Sequence, residues 1–303
     1  MADAAVGDDE TYLLLLLADG NLPTGSFIAS SGLESFVAHG FFGGPIHNLD
    51  NTVSFIRDSV ATYARSALPF VADVHQVVVK AVIGGGADDL AGPLDRVYEE
   101  IKVLDGLYET MTLNHVAKRA SKSQGVALLT LYTKGFSPPT SLLTKSATAR
   151  DTFVGKLVDR YKLEIRREEV QGHLPICWGI LTAALNISLG KSLAFEAPFN
   201  THVYVLIWAD RSLHLHLFLH ARSLLSAAVR LNMIGPYGSQ QLLLHIIRPI
   251  VDVEFDNVKG VRAYSSEEIT SDGGLLNGPA TTWPLGEILA SRHDLQHSRI
   301  FNS

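Results

Sequence analysis

Hydrophobic positions along this chain recur mostly at helical spacing. Residues 148–170 are the clearest case: Val154, Val158, Tyr161 and Ile165 fall on one face, with Phe153 and Leu157 beside them. Similar stripes predict a helix through Val53, Phe55, Ile56, Val60 and Tyr63, and another over Phe70 to Ile83 with Pro69 as its first residue. Further helices are predicted from Pro93 to Glu109, from Asn114 to Lys134, from His173 to Leu189, from Pro198 to about Asn232, and through Leu242 to Ile250 after a cap at Ser239. Gly84 to Gly92, Gly135 to Ser141 and Gly235 to Gly238 read as loops or turns. Val251 to Phe255 alternates like a short strand, residues 256–282 are turn-rich, and an apolar pattern returns from Pro284 to Phe301.

One stretch departs from the rule that helices are built from good helix formers. Tyr12 to Ala18 is apolar, Asp19 to Ser26 is a bend, and Ile28 to His39 reads as a helix that Gly40 ends. Ser26, Ser30, Ser31, Gly32 and Ser35 sit in or beside that helix, and such residues have weak intrinsic propensity. Close packing must hold it. Gly32 is the expected point of tight contact and Glu34 the expected exposed charged contact.

The pattern as a whole predicts an all-α fold: a single helical, bundle-like domain of about ten helices, spanning residues 12–251. Residues 1–11 read as an acidic, disordered N-terminus. Residues 252–303 read as a flexible tail, mobile in the free protein, whose last residues order on a partner.

Composition sharpens this picture. Hydrophobic residues make up 47% of the 303 and charged residues only 18%, so some apolar surface is expected to meet a partner. The net charge of −6, with acidic residues concentrated at the two ends, argues against nucleic-acid binding. Cys177 is the one cysteine, which fits a reducing compartment, and the acidic N-terminus is not a signal peptide; the expected location is cytoplasmic, without a membrane partner.

Candidate chemistry is sparse. Gly190-Lys191-Ser192 ends like a phosphate loop, but Leu185 stands where the first glycine belongs and the segment follows a helix. His216 and His220 share a helix face and His214 is close by, so a metal site is conceivable; polar residues lining a helix contact are the better reading. The basic residues of 145–167 read as a solvated face rather than a contact for an acidic partner. No catalytic motif, cofactor motif or metal-ligand spacing stands out.

Four segments together resemble the urease accessory proteins of the F type. Leu22, Pro23, Gly25 and Phe27, followed by Ser30 or Ser31, Gly32, Leu33 and Glu34, match the opening signature. Arg119, Ser123, Gln124 and Gly125 match a second segment, and Arg230, Pro236, Gly238, Gln240 and Gln241 a third. His293, Arg299, Ile300, Phe301 and Ser303 match the closing motif. The third segment is shorter than in many bacterial members, and residues 84–92 and 256–282 look inserted, as in a eukaryotic-type member.

The resemblance implies a non-enzymatic, dimeric scaffold without a cofactor. It would bind the D/H-type accessory protein and recruit the nickel-carrying G-type GTPase to apo-urease, with modulation of its GTPase activity as a further implied role. Partner contacts are expected at Pro23, Gly25, Phe27, Gly32, Glu34, Arg119, Gln124, Arg230, Pro236, Gly238, Gln240, Gln241, Arg299 and Phe301. The alternative is a nickel-binding metallochaperone or a helical enzyme using His214, His216 and His220.

Overall fold

A computed structural model describes residues 2–20, 22, 29–42, 48–84, 91–137, 148–187, 210–263 and 278–303. Pro23, Gly25, Phe27, the Gly190-Lys191-Ser192 segment and the expected helix start at Pro198 lie outside these residues.

Every regular element among the described residues is helical: α1 (Ala2–Leu17), α2 (Leu33–Ala38), α3 (Asn48–Gly84), α4 (Ala91–Met111), α5 (His115–Leu131), α6 (Ala149–Arg166), α7 (Leu174–Ala184), α8 (Asp210–Arg230), α9 (Pro236–Leu242), α10 (Arg248–Val258) and α11 (Pro284–Ser291). The all-α expectation therefore holds. Helix α3 is the axis of the body and packs against α4, α7, α8 and α10. Its Phe55, Ile56, Val60, Leu68, Phe70, Val71 and Val74 are buried. It is long and apolar enough to cross a membrane, and its position inside the helical body accounts for that composition.

Pro69 lies inside α3, where the sequence predicts a break. An interior proline loses one backbone hydrogen bond and costs about 3 kcal/mol. Continuous burial on both sides of it offsets that cost. Two other close approaches fix the core. A Cβ on Gly125 of α5 would collide with the Gly172 carbonyl, and one on Gly179 of α7 would stand 2.9 Å from the Val71 carbonyl of α3.

The helix starts follow local chemistry. Thr148 and Asp151 form a reciprocal cap on α6, and Asn114 accepts from the Val116 and Ala117 amides at the start of α5. Val154, Val158 and Tyr161 are buried as the periodicity predicts. On the basic face of α6, Arg160 pairs with Asp95 and lies over the Tyr98 ring, Lys162 donates to Thr133, and Arg167 pairs with Glu164. These are contacts within the chain, in line with a solvated face.

Several expectations need correction. Asp105 and Glu109 of α4, acidic residues for which solvent exposure is the ordinary expectation, turn inward. Asp105 is buried and accepts from the Gln171, Gly172 and His173 amides at 2.5, 3.1 and 3.1 Å, satisfying orphan donors ahead of α7. Glu109 accepts from His173 and Lys118 and pairs with Lys122. Gly235 to Gly238 is the cap and first turn of α9, with Pro236 at the first helical positions, so that helix starts before Ser239. Val251 to Phe255 is helical, because Val251, Phe255 and Val258 face the core at helical spacing. Among the described residues of the small-residue segment, Leu33 to Ala38 are helical; Ser31 and Gly32 before them have positive φ.

The two ends also differ from expectation. Residues 2–11 belong to α1, which Glu10 ties to Arg211 of α8 at 2.9 Å. The last 26 residues, 278–303, pack on the body. Trp283 packs against the touching rings of Phe36 and Phe55, and Phe301 is 3% exposed. Packing of these aromatic rings seats the segment on the helical body.

Candidate partner-binding site

The docked end of the chain and the segment around α2 form one site, built from residues almost the full length of the chain apart. Ser31 and Gly32 turn the chain into α2 through two left-handed residues, with φ of 49° and 87°. A Cβ on Gly32 would come within 2.9 Å of the Ala290 Cβ of α11, so glycine answers both the backbone and the packing. The serines that weaken local helix propensity seat the tail. The Ser35 hydroxyl donates to the Leu289 carbonyl at 2.5 Å, and both the amide and the hydroxyl of Ser30 donate to the Ser303 carbonyl.

Glu34 is 6% exposed and is therefore not the exposed contact that the sequence predicts. Its carboxylate accepts from the Ile300 amide at 2.5 Å and the Phe301 amide at 3.2 Å. Two charge-assisted bonds to main-chain donors make its burial tolerable. His293, fully buried, meets the Phe301 carbonyl at 3.2 Å and stands 3.8 Å from Glu34. The Arg230 guanidinium lies 4.1 Å above the Phe301 ring, and burial lowers its pKa.

The outer edge is ionic. Arg119 of α5 holds Asp294 with two hydrogen bonds of 2.8 and 2.9 Å and also donates to the Asn302 carbonyl. Arg299 reaches the same carboxylate at 2.9 Å, and His115 lies 3.4 Å away. The hydrogen bond from Arg119 first, and the charges of Arg119, Arg299 and His115 after it, bring the Asp294 pKa down to about 2. The clamp is thus ionised at every physiological pH. Asn114, which caps α5, donates through its amide to the Glu287 carbonyl at 3.2 Å, so one side chain starts α5 and holds α11.

The structure thus brings together Gly32, Glu34, Arg119, Arg230, Arg299 and Phe301. Gln124 is buried on α5. Pro236, Gln240 and Gln241 are exposed on α9 and Gly238 is half-buried there, outside these tail contacts. Sequence reasoning missed Ser35, Asn114, Trp283 and Asp294. The density of serines around Gly32 was the one available signal. Above this frame Leu285, Ile288, Leu295 and Ile300 remain exposed, an apolar strip on the outer side of the tail.

The histidines do structural work at the contact between α3 and α8. His216 shares a hydrogen bond of 2.8 Å with the Tyr63 hydroxyl, and His220 stacks on the Tyr63 ring at 4.0 Å and meets Ser59 at 3.1 Å. His214 points elsewhere and pairs with Asp252 at 2.7 Å. Among the described residues no three potential ligands of the His, Cys, Asp and Glu type come together. Desolvation, with His220 adding to it, lowers the His216 pKa to about 3, and desolvation lowers that of His220 to about 4.

A prediction follows for the double variant His216→Ala/His220→Ala. It leaves nickel affinity, read by calorimetry, within error of wild type, and lowers stability by about 1–3 kcal/mol through the unpaired Tyr63 and Ser59 hydroxyls. Because both folded pKa values lie below the ordinary 6.5, the unfolded chain binds more protons between about pH 4 and 6.5. Stability therefore falls as pH drops through that window, and the double variant loses part of that dependence. Loss of stoichiometric nickel binding in the variant would instead make the pair a metal site.

The sequence is similar to those of known proteins. The chain is 40% identical to urease accessory protein 6 of Cryptococcus neoformans var. grubii, covering 100% of both chains. It is 27% identical to an uncharacterized urease accessory protein UreF-like of Schizosaccharomyces pombe, over 97% of each. It is also 25% identical to urease accessory protein F of Arabidopsis thaliana, over 95% of this chain and 90% of that one. The UreF family profile matches residues 46–197 and 205–247, more than half of the sequence, and the chain belongs to the UreF family.

Proposed function

We propose that the chain is a urease maturation factor that works as a scaffold. Family membership supports the role in urease maturation. In this reading the chain is not an enzyme: it dimerises, binds the D/H-type accessory protein and recruits the nickel-carrying G-type GTPase, modulating its activity, so that nickel reaches apo-urease in the cytoplasm. The observation that carries the reading is the convergence of family-signature residues, Gly32, Glu34, Arg119, Arg230, Arg299 and Phe301, on the docked tail. A prebuilt segment with exposed Leu285, Ile288, Leu295 and Ile300 presents apolar area to a partner at little ordering cost. Pro23, Gly25 and Phe27 on the chain leading into this site, and Gln124, Pro236, Gly238, Gln240 and Gln241 on α5 and α9, are assigned to further partner contacts on the same reading.

Size-exclusion chromatography of the chain with the D/H-type and G-type accessory proteins tests it. The expected result is co-elution of all three, with two copies of this chain. Elution of this chain alone from the mixture would contradict the scaffold role.

A further inference from the structure

A cavity of about 560 Å³ lies beneath α11, between α3, α5, α7 and α8. Its size is that of a small-molecule site. Four aromatic residues line it: Tyr63, Tyr108, Trp178 and Trp283. The Trp178 indole N–H is taken by Ser212, the His216 ring lies 4.9 Å from the Trp178 ring at a tilt, and His220 covers one face of Tyr63. His216 and His220 also line the cavity, and burial keeps both neutral at physiological pH. Among the described lining residues there is no Lys, Arg or Asp, and Glu287 is the one acid.

We propose that this cavity binds a small organic ammonium ion, with the aromatic faces and the Glu287 carboxylate as its counter-charge. Among the described lining residues the Glu287 carboxylate on the roof has no Lys or Arg partner. Burial raises the Glu287 pKa, with the Asn114 amide acting against the shift, and a cation bound beside the carboxylate would offset that cost by charge pairing. Aromatic walls favour a quaternary or tertiary ammonium over a strongly hydrated ion, because such a cation loses little hydration on entering and gains from the ring quadrupoles. The floor has no anionic ligand set of the kind a hard metal ion needs. The roof residues Trp283 and Glu287 belong to the docked tail, so occupancy would also bear on how firmly that tail is held. This inference stands apart from the scaffold reading, since it concerns the interior and not the outer face.

The test is a titration of the full chain with choline and with its uncharged isostere 3,3-dimethyl-1-butanol, read by calorimetry and by tryptophan fluorescence. Choline is expected to bind saturably, and the isostere at least about tenfold more weakly. Glu287→Gln is expected to weaken choline binding by a similar factor and to leave the isostere unchanged. Equal affinity for the two probes, or no binding of choline to wild type, would overturn the proposal. Nickel ions that bind saturably and displace choline would assign the cavity to metal ions and overturn it too.

Discussion

Replacing Gly32 with leucine is expected to lower the melting temperature by on the order of 10 °C and to abolish assembly with the partner accessory proteins. Two costs combine. The residue has φ of 87°, where a side chain costs about 1–2 kcal/mol, and its Cβ would already stand 2.9 Å from the Ala290 Cβ. The rest of a leucine side chain would push α11 off α2, an overpacking that typically costs about 1–3 kcal/mol. Ser35, whose hydroxyl bonds the Leu289 carbonyl, would be pulled away in the same movement. Gly32→Ala separates the terms, since it keeps the φ cost and the first contact without the bulk. Its melting temperature should fall between wild type and Gly32→Leu. A leucine variant that melts and assembles like wild type would show that α11 is not held against this turn.

The second large effect is at Glu34. Glu34→Ala removes the acceptor of two main-chain amides and leaves the Ile300 and Phe301 donors unpaired in a closed site. Each buried orphan donor costs about 1–3 kcal/mol if it stays buried. The cheaper outcome is release of the last residues into water, which also uncovers the Phe301 ring and the face of Arg230. We therefore expect a modest fall in melting temperature, sharp amide-exchange loss at residues 298–303, and loss of partner binding. Glu34→Gln keeps the shape with weaker acceptance and should fall between. Protection unchanged in the alanine variant would mean that Arg119 and Phe301 hold the tail without the carboxylate.

Most helices were legible because their apolar positions recur at helical spacing, and α6 shows this from cap to core. The errors have particular causes. Pro69 reads as a helix start because local rules weigh proline heavily, yet the burial of α3 outweighs it. Glu34 reads as exposed because most glutamates are, and nothing near it in sequence shows two amides arriving from 266 and 267 residues away. Asp105 is the same kind of case, bonded to amides 66 to 68 residues on. The tail reads as mobile because its composition is turn-rich, while the Phe36 and Phe55 pair against which Trp283 packs is a property of the fold. The serines around Gly32 did announce a close approach, though not which segment makes it.

We propose that the docked end of the chain, seated on Ser30, Gly32 and Glu34, is the surface the D/H-type accessory protein binds. The most direct measurement is the affinity of that protein for the full chain and for a chain lacking Ser298 to Ser303, with melting curves of both. The account predicts a large loss of affinity, with the helical fold retained and the melting temperature only slightly lower. Equal affinity of the truncated and full chains would contradict it.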